Sequence, residues 1–167
     1  DTSMGFSALD GVPMATRCGA IDPGVLLHLI GTDGRTVKDV EDILYRRSGL
    51  LGVSGISADS RELLESDKPE AQQALAVFTF RIAGEVARLA TTLGGLDAIV
   101  FTAGVGENQP RIRADVAARL AWLGVELDEA ANAANEGTIS SASSRITALV
   151  IATDEEQIIA DEALSVL

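Results

Sequence analysis

The pattern best suited to chemistry is a glycine-spaced turn between a buried strand and a helix. In LDAIVFTAGVGENQP, residues 96–110, an apolar run is followed by Gly104 and Gly106 and then by Pro110. Glycine lets the backbone take left-handed angles and approach a flat ligand closely, and ligands of open α/β sheets bind at the carboxyl ends of strands. Such a turn is as often plain geometry as a nucleotide site, because it matches neither the Walker loop nor the full dinucleotide fingerprint.

Charged side chains elsewhere could bind phosphate or a nucleoside. Arg17 lies in a polar loop, where a guanidinium can clamp phosphoryl oxygens, although from the sequence alone an ordinary surface arginine is the preferred interpretation. In Asp59-Ser60-Arg61, the carboxylate can accept from ribose or adenine, and the arginine can stack on a base or pair with phosphate. The alternative is that Asp59 caps a short helix while Arg61 is solvated.

An acidic segment opens the last predicted helix near the end of the chain. Thr153 and Glu156 have the spacing of a capping box at the start of a last helix, which leaves Glu155 able to face a cleft. The alternative is that Glu155 only complements the helix dipole, and the same alternative applies to Glu107.

Composition limits the class of protein and of partner. The chain has 167 residues, 47% of them hydrophobic, which is enough for one domain with a real core. Its net charge of −12 disfavours nucleic acid and anionic membrane as partners. A single cysteine, Cys18, excludes an internal disulfide and fits the cytoplasm, and no signal peptide or membrane span is visible. The opening residues do not resemble a natural start, so we expect a fragment.

The order of elements predicts an α/β fold. Helices are predicted after the caps Asp22 and Thr36, over 69–93 with Gly94-Gly95 as the C-cap, over about 109–123, over 128–135 and over 155–164, with a short helical turn at 59–61. The apolar runs 96–101 and 146–151 predict buried strands, residues 125–127 a further short one, and residues 48–57 a glycine-punctuated loop. Strands that alternate with helices in the second half indicate a parallel sheet.

Five stretches together resemble the acetate/propionate kinase family. They are DTSMGFSALDG at 1–11, MATRCGAIDPG at 14–24, SGLLGVSGISADSR at 48–61, FTAGVGEN at 101–108 and IATDEEQIIA at 151–160. The family belongs to the actin/sugar-kinase/heat-shock-protein-70 group, so the resemblance implies part of a ribonuclease-H-like lobe with parallel strands and flanking helices. Residues 1–167 would be the carboxy-terminal nucleotide-binding lobe, incomplete at its amino-terminal end.

The resemblance also implies an activity. The intact enzyme would transfer a phosphoryl group reversibly between ATP and acetate, giving ADP and acetyl phosphate, with Mg²⁺. Its partners would be the missing amino-terminal part of the same protein and a second copy in a homodimer. This chain alone should be inactive. A non-catalytic nucleotide-binding module of the same fold, or a preference for propionate or butyrate, stays open.

Matching positions carry the family's functional residues into this sequence. They are the catalytic Arg17, the adenosine-binding Asp59, Ser60 and Arg61, the nucleotide turn Ala103, Gly104, Val105, Gly106 and Glu107, and the magnesium-associated Glu155. Two positions depart from the family's pattern. Ala103 replaces the usual glycine, which we expect to be tolerated at negative φ and unfavourable at positive φ, and Ala20 replaces a residue that is often polar or acidic.

Overall fold

Two units make up the chain, Asp1–Leu96 and Asp97–Leu167. The structure, a computed structural model, describes residues 1–165 but not the side chain of Glu155. Within the described part, no helix is both long and apolar enough to cross a membrane.

The first unit begins with a loop and two capped helices. Residues 1–22, all of them described, contain neither helix nor strand. Helix α1 (Pro23–Gly31) begins with the Asp22 carboxylate accepting from the backbone N–H of Gly24 at 2.8 Å. Helix α2 (Val37–Arg46) begins with a capping box between Thr36 and Asp39. Both predicted helix starts are confirmed, because each rests on a local hydrogen bond that the sequence encodes directly.

The apolar residues of α1 do not form a buried face. No residue of this helix is buried, and Leu27 is 73% exposed. Of its other apolar residues, Leu26 and Leu29 are half-buried, and Val25 and Ile30 are exposed. Helical spacing predicted the helix correctly, but it does not say whether a neighbouring element covers the face.

Residues 48–57 are not simply a loop, because helix α3 (Gly49–Ser54) forms there. The backbone N–H groups of Leu50 and Leu51 donate to the carbonyls of Met14 and Ala15 at 2.9 and 3.0 Å. These contacts satisfy N–H groups that a helix start leaves without partners. Gly49 has a φ of 61°, and a Cβ at this position would overlap the carbonyl oxygen of Met14.

A long helix organises the rest of the first unit. Helix α4 (Ser60–Leu64) follows α3, and helix α5 (Pro69–Leu93) contacts both α3 and α4. Gly94 ends α5 in the left-handed conformation with φ 79°, as predicted for a glycine C-cap. Leu63 is fully buried and Leu75 is 2% exposed, so they lie at the centre of this core.

The second unit is built on two short parallel strands. Strand β1 (Ala98–Phe101) pairs in parallel with β2 (Thr147–Val150), and Ile99 lies opposite Ala148. The predicted parallel α/β arrangement is therefore confirmed. Val125 joins the sheet only through an isolated parallel bridge to Ile146, so the third predicted strand is reduced to single bridges.

Four helices and a 3₁₀ turn complete the second unit as described. They are α6 (Ala103–Asn108), α7 (Pro110–Arg119), the 3₁₀ turn Ala121–Leu123, α8 (Glu129–Ala133) and α9 (Glu155–Ser165). The helix predicted over 109–123 thus ends earlier. The core of this unit is apolar and comes from α7, from β2 and from residues next to these elements. Its buried side chains include Ile112, Val116, Leu120, Ile139, Ile146 and Ala148.

Candidate functional site

Arg17 lies in a loop that is pinned on both sides. The Thr16 hydroxyl donates to the carbonyl of Tyr45 at 2.7 Å, and the Cys18 N–H donates to the carbonyl of Leu44 at 3.1 Å. The Arg17 guanidinium contacts the Met14 sulfur at 3.7 Å. Among the described residues it forms no ion pair with a carboxylate. The loop therefore holds a half-buried cation whose charge an anionic ligand could neutralise.

A polar pocket of about 800 Å³ lies beside this loop. Arg17 and Lys38 contribute positive charge to its wall, and Asp39 and Asp42 contribute negative charge. Asp42 is already paired with Arg46 and Arg47. The pocket can accept a small charged molecule within reach of the Arg17 guanidinium.

Cys18 has the character of a packing residue. Its thiol is half-buried, contacts the carbonyl oxygen of Leu9 at 3.8 Å, and has its pKa raised by burial. A thiol that keeps its proton is a weak nucleophile.

Asp59 and Arg61 interact with each other at the start of α4. One Asp59 oxygen accepts from the Arg61 backbone N–H at 2.8 Å and so caps the helix. The Arg61 side chain also bonds the carboxylate, with Nη2 to Oδ2 at 2.6 Å, and these bonds lower the pKa of Asp59. Ser60 is only 5% exposed, which disfavours direct ligand contact by its side chain. The carboxylate that is predicted to contact adenosine is therefore also the one that caps α4.

The glycine-spaced turn is itself the short helix α6, and its left-handed residue is not a glycine. Ala103 has a φ of 57°, whereas neither Gly104 nor Gly106 has positive φ. The expectation that these glycines supply left-handed angles is wrong, because the chain continues as a helix through both. Gly106 is needed for space: a Cβ there would lie 3.0 Å from the carbonyl carbon of Phe101. Of the two outcomes expected for Ala103, the structure shows the strained one.

Replacing Ala103 by glycine should stabilise the chain by about 1 kcal/mol, because a left-handed residue with a Cβ is strained by roughly that amount. Urea unfolding of the 167-residue chain measures the change. The matched control is Ala76→Gly, at an exposed site inside α5, where glycine should destabilise by about 1 kcal/mol. Destabilisation by both substitutions would contradict the strain at Ala103.

Glu107 connects α6 to the segment that leads into α9. Its Oε1 accepts from the Thr153 N–H at 3.1 Å and from the Thr153 hydroxyl at 3.3 Å. Thr153 is thus not the predicted cap of the last helix. Asp154 takes that role, accepting from the Gln157 N–H at 2.9 Å, and the predicted capping box with Glu156 is wrong. Glu107 also lies three residues before Pro110, the first residue of α7, a position compatible with a favourable charge near a helix start.

The described residues contain no group of three His, Cys, Asp or Glu that could hold a metal ion. The predicted magnesium ligand, Glu155, begins α9, but its side chain lies outside the described part of the structure. A Mg²⁺ ion that shares its shell with phosphates and water needs only one or two protein carboxylates. The magnesium role of Glu155 therefore stays a prediction.

Arg113 is the buried charge that sequence reasoning missed. It lies on α7 at the spacing of the apolar residues Val116, Ala117 and Leu120, and it is fully buried with them. The available signal was a cation on the core-facing side of an amphipathic helix. Its hydrogen bonds reach the carbonyls of Gly106 and Glu107, so it belongs to the surroundings of the candidate turn.

Comparisons with known proteins agree on one family. The model of the acetokinase family matches residues 1–161. The chain is 53% identical to an acetate kinase of Rhodopseudomonas palustris over 161 residues, covering 95% of the chain and 40% of that protein. It is 52% identical to an acetate kinase of Methylocella silvestris over 166 residues, covering 99% of the chain and 41% of that protein. The chain thus spans about 40% of the length of these relatives.

Solved structures show the same relationship. A propionate kinase from Francisella tularensis matches with a TM-score of 0.92 and 39% identity over 97% of this chain and 42% of that one. An acetate kinase from Porphyromonas gingivalis matches with a TM-score of 0.89 and 36% identity over 98% of this chain and 42% of that one. Together with the parallel strands and flanking helices, these matches confirm the predicted α/β fold class. The chain belongs to the acetokinase family.

Proposed function

We propose that this chain is the carboxy-terminal, nucleotide-binding part of an enzyme that transfers a phosphoryl group between ATP and acetate. The observation that carries the proposal is Arg17, held by a pinned loop beside a polar pocket and without a carboxylate partner among the described residues. Membership of the acetokinase family supports this class of reaction. The remaining length of the enzyme and a second copy in a homodimer would be its partners.

Arg17 would act on the phosphoryl group during transfer. An oxygen of the acetate carboxylate forms a bond to the γ-phosphorus while the bond from that phosphorus to the leaving ADP oxygen breaks. Charge then spreads over three equatorial oxygens, and a guanidinium fork aimed at them stabilises this transition state more than either ground state. Running in reverse, the same step makes ATP from acetyl phosphate and ADP.

Each unit offers its own candidate segment for contacts with the nucleotide. At the start of α4, Asp59 would accept from adenosine hydroxyl or amino groups, and the exposed Arg61 would stack on the base or pair with phosphate. In the second unit, residues 103–107 would approach the nucleotide through their backbone. Glu155 would hold the Mg²⁺ ion that accompanies the phosphates and neutralises part of their charge.

The acyl substrate has a second candidate. The curated relatives named above are acetate kinases, but one of the solved structures named above is a propionate kinase, with a TM-score of 0.92. Acetate and propionate differ by one methylene, which a hydrophobic pocket discriminates by only about 1–3 kcal/mol. Both substrates therefore belong in any test, and acetate is the first choice.

The test uses a full-length enzyme that carries this chain. ATP, Mg²⁺ and either acetate, propionate or butyrate are supplied, and hydroxylamine traps any acyl phosphate as the hydroxamate. We expect acyl hydroxamate that depends on ATP, with acetate giving the highest rate. Saturable ATP binding without any hydroxamate would instead identify a non-catalytic nucleotide-binding module of the same fold.

A further inference from the structure

The most unusual charged group of the second unit is Arg113. It lies on α7 and is 0% exposed, although arginine is almost never fully buried unless it is paired with an opposite charge. No carboxylate pairs with it among the residues that the structure describes. Its charge is instead met by uncharged oxygens.

Five hydrogen bonds surround the guanidinium. Toward α8, Nε donates to Asn132 Oδ1 at 2.7 Å, and Nη2 donates to the Asn132 carbonyl and to Asn135 Oδ1, both at 2.6 Å. Toward α6, Nη1 donates to the carbonyls of Gly106 and Glu107 at 2.8 and 3.0 Å. The planar fork thus joins two short helices that are distant in sequence, a geometry that the single ammonium of lysine cannot reproduce.

The contact on α6 falls where that helix needs support. A helix of six residues has little stability of its own, and the carbonyls of its last turn lack partners within the helix. Arg113 fills two of those positions and places a positive charge at a helix carboxyl end, where it is favourable. The guanidinium therefore supports the last turn of α6, at Gly106 and Glu107.

The far side of the network is fixed as well. Asn132 is 5% exposed and donates through Nδ2 to the carbonyl of Pro110 at 2.9 Å. Asn135 has a φ of 54°, a left-handed angle that asparagine tolerates better than most residues. The α8 side of the network is therefore held in place by its own hydrogen bonds. A well-packed apolar residue could fill the volume of Arg113, but it could not join α6 to α8.

We propose that Arg113 is a positioning residue for nucleotide binding, which holds the turn 103–107 in its binding conformation by tying the end of α6 to α8. This inference rests on the proposed nucleotide-binding function of the turn. Arg113 itself does not touch the ligand. Its contribution is geometric, so a cation of different shape should not replace it.

The experiment compares three variants of a full-length enzyme that carries this chain. Arg113→Lys keeps the charge and loses the fork. Asn135→Gly removes one acceptor while retaining a residue suited to positive φ, so it should fold even if the first variant does not. Arg111→Lys, on the exposed side of the same helix, is the matched control. Steady-state kinetics are combined with amide hydrogen exchange over residues 103–109 without nucleotide.

We expect Arg113→Lys to raise the KM for ATP at least about tenfold, as a small misplacement of binding groups does, while the KM for acetate changes less than about twofold. Asn135→Gly should raise the KM for ATP about threefold, in line with one lost hydrogen bond. Exchange over 103–109 should accelerate in both variants and not in Arg111→Lys.

Two results overturn the inference. One is a folded Arg113→Lys with an unchanged KM for ATP and unchanged exchange. If Arg113→Lys does not fold, the same absence of change in Asn135→Gly decides against it. Failure of the proposed function looks different, because the unsubstituted enzyme would then neither bind nor turn over ATP. Accelerated exchange over 103–109 in the Arg113 variant would in that case still show that Arg113 positions the turn.

Discussion

Replacing Arg17 by alanine should lower kcat by about 10³–10⁵-fold in a full-length enzyme that carries this chain, the range that arginine fingers contribute in phosphoryl transfer. The reason is that its guanidinium would bond the transferring phosphoryl group most strongly in the transition state. Binding of the nucleotide itself would rely on other segments. The dissociation constant of Mg·ATP should therefore change little, and stopped-flow or calorimetric binding alongside initial rates separates the two quantities.

Two further variants sharpen the test of Arg17. Arg17→Lys should recover only part of the rate, because an ammonium supplies charge without the planar fork. Arg35→Ala removes an exposed arginine from the same unit and should leave kcat within about twofold, as is usual for surface substitutions. Equal losses of turnover and nucleotide affinity in Arg17→Ala would show that its assignment as a transition-state group is wrong.

The second large effect concerns the core beneath the candidate adenosine site. Leu63 is fully buried in α4, which packs against α5. Its replacement by alanine removes buried methyl groups and leaves a cavity, which costs about 2–5 kcal/mol. We expect a loss of about 3 kcal/mol in the free energy of unfolding of the 167-residue chain. Urea titration monitored by circular dichroism measures this loss.

The control for this substitution is a leucine at the surface. Leu93 ends α5 and is 74% exposed, so Leu93→Ala should change the free energy of unfolding by no more than about 0.5 kcal/mol. Because Asp59 caps the helix that contains Leu63, Leu63→Ala should also weaken nucleotide binding in the full-length enzyme. A loss of less than about 1 kcal/mol would contradict the central place of Leu63 in the core.

The elements that sequence reasoning predicted correctly are those with local causes. Asp22 and Thr36 begin their helices through hydrogen bonds to residues two or three positions away, and Gly94 ends the longest helix through its own left-handed angle. The two parallel strands follow from apolar runs that helices separate. Each of these signals is complete within a few residues, so the sequence alone reveals it.

The elements that sequence reasoning missed depend on distant partners. Helix α3 is supported by carbonyls of the loop at Met14 and Ala15. These long-range contacts cannot be inferred from the glycine-rich sequence of the helix itself. Thr153 would cap a helix by spacing alone, but its hydroxyl and N–H bond Glu107. The positive φ of Ala103 is equally invisible, since alanine is rarely found there.

The candidate site shows the same division. The residue types that could bind a nucleotide were identified from the sequence and its family resemblance, and their roles remain predictions. The contacts that hold these residues in place come from the tertiary structure. Examples are the hydrogen bonds that pin the loop at Arg17 and those of the Arg113 guanidinium. Capping and ligand binding at Asp59 were alternatives in the sequence, whereas the structure shows the cap and an ion pair in one carboxylate.

The most direct test is calorimetric titration with Mg·ADP of a full-length enzyme that carries this chain, repeated with Asp59→Ser. Serine keeps a capping oxygen at the start of α4 but removes the carboxylate. The substitution therefore distinguishes the contribution of Asp59 to ligand binding from its contribution to helix capping. Asp67→Ser, at an exposed aspartate of the same unit, is the control. We predict saturable binding that Asp59→Ser weakens about tenfold or more and the control leaves unchanged. Binding by Asp59→Ser as tight as that of the unsubstituted enzyme would show that Asp59 only caps α4 and that the adenosine lies elsewhere.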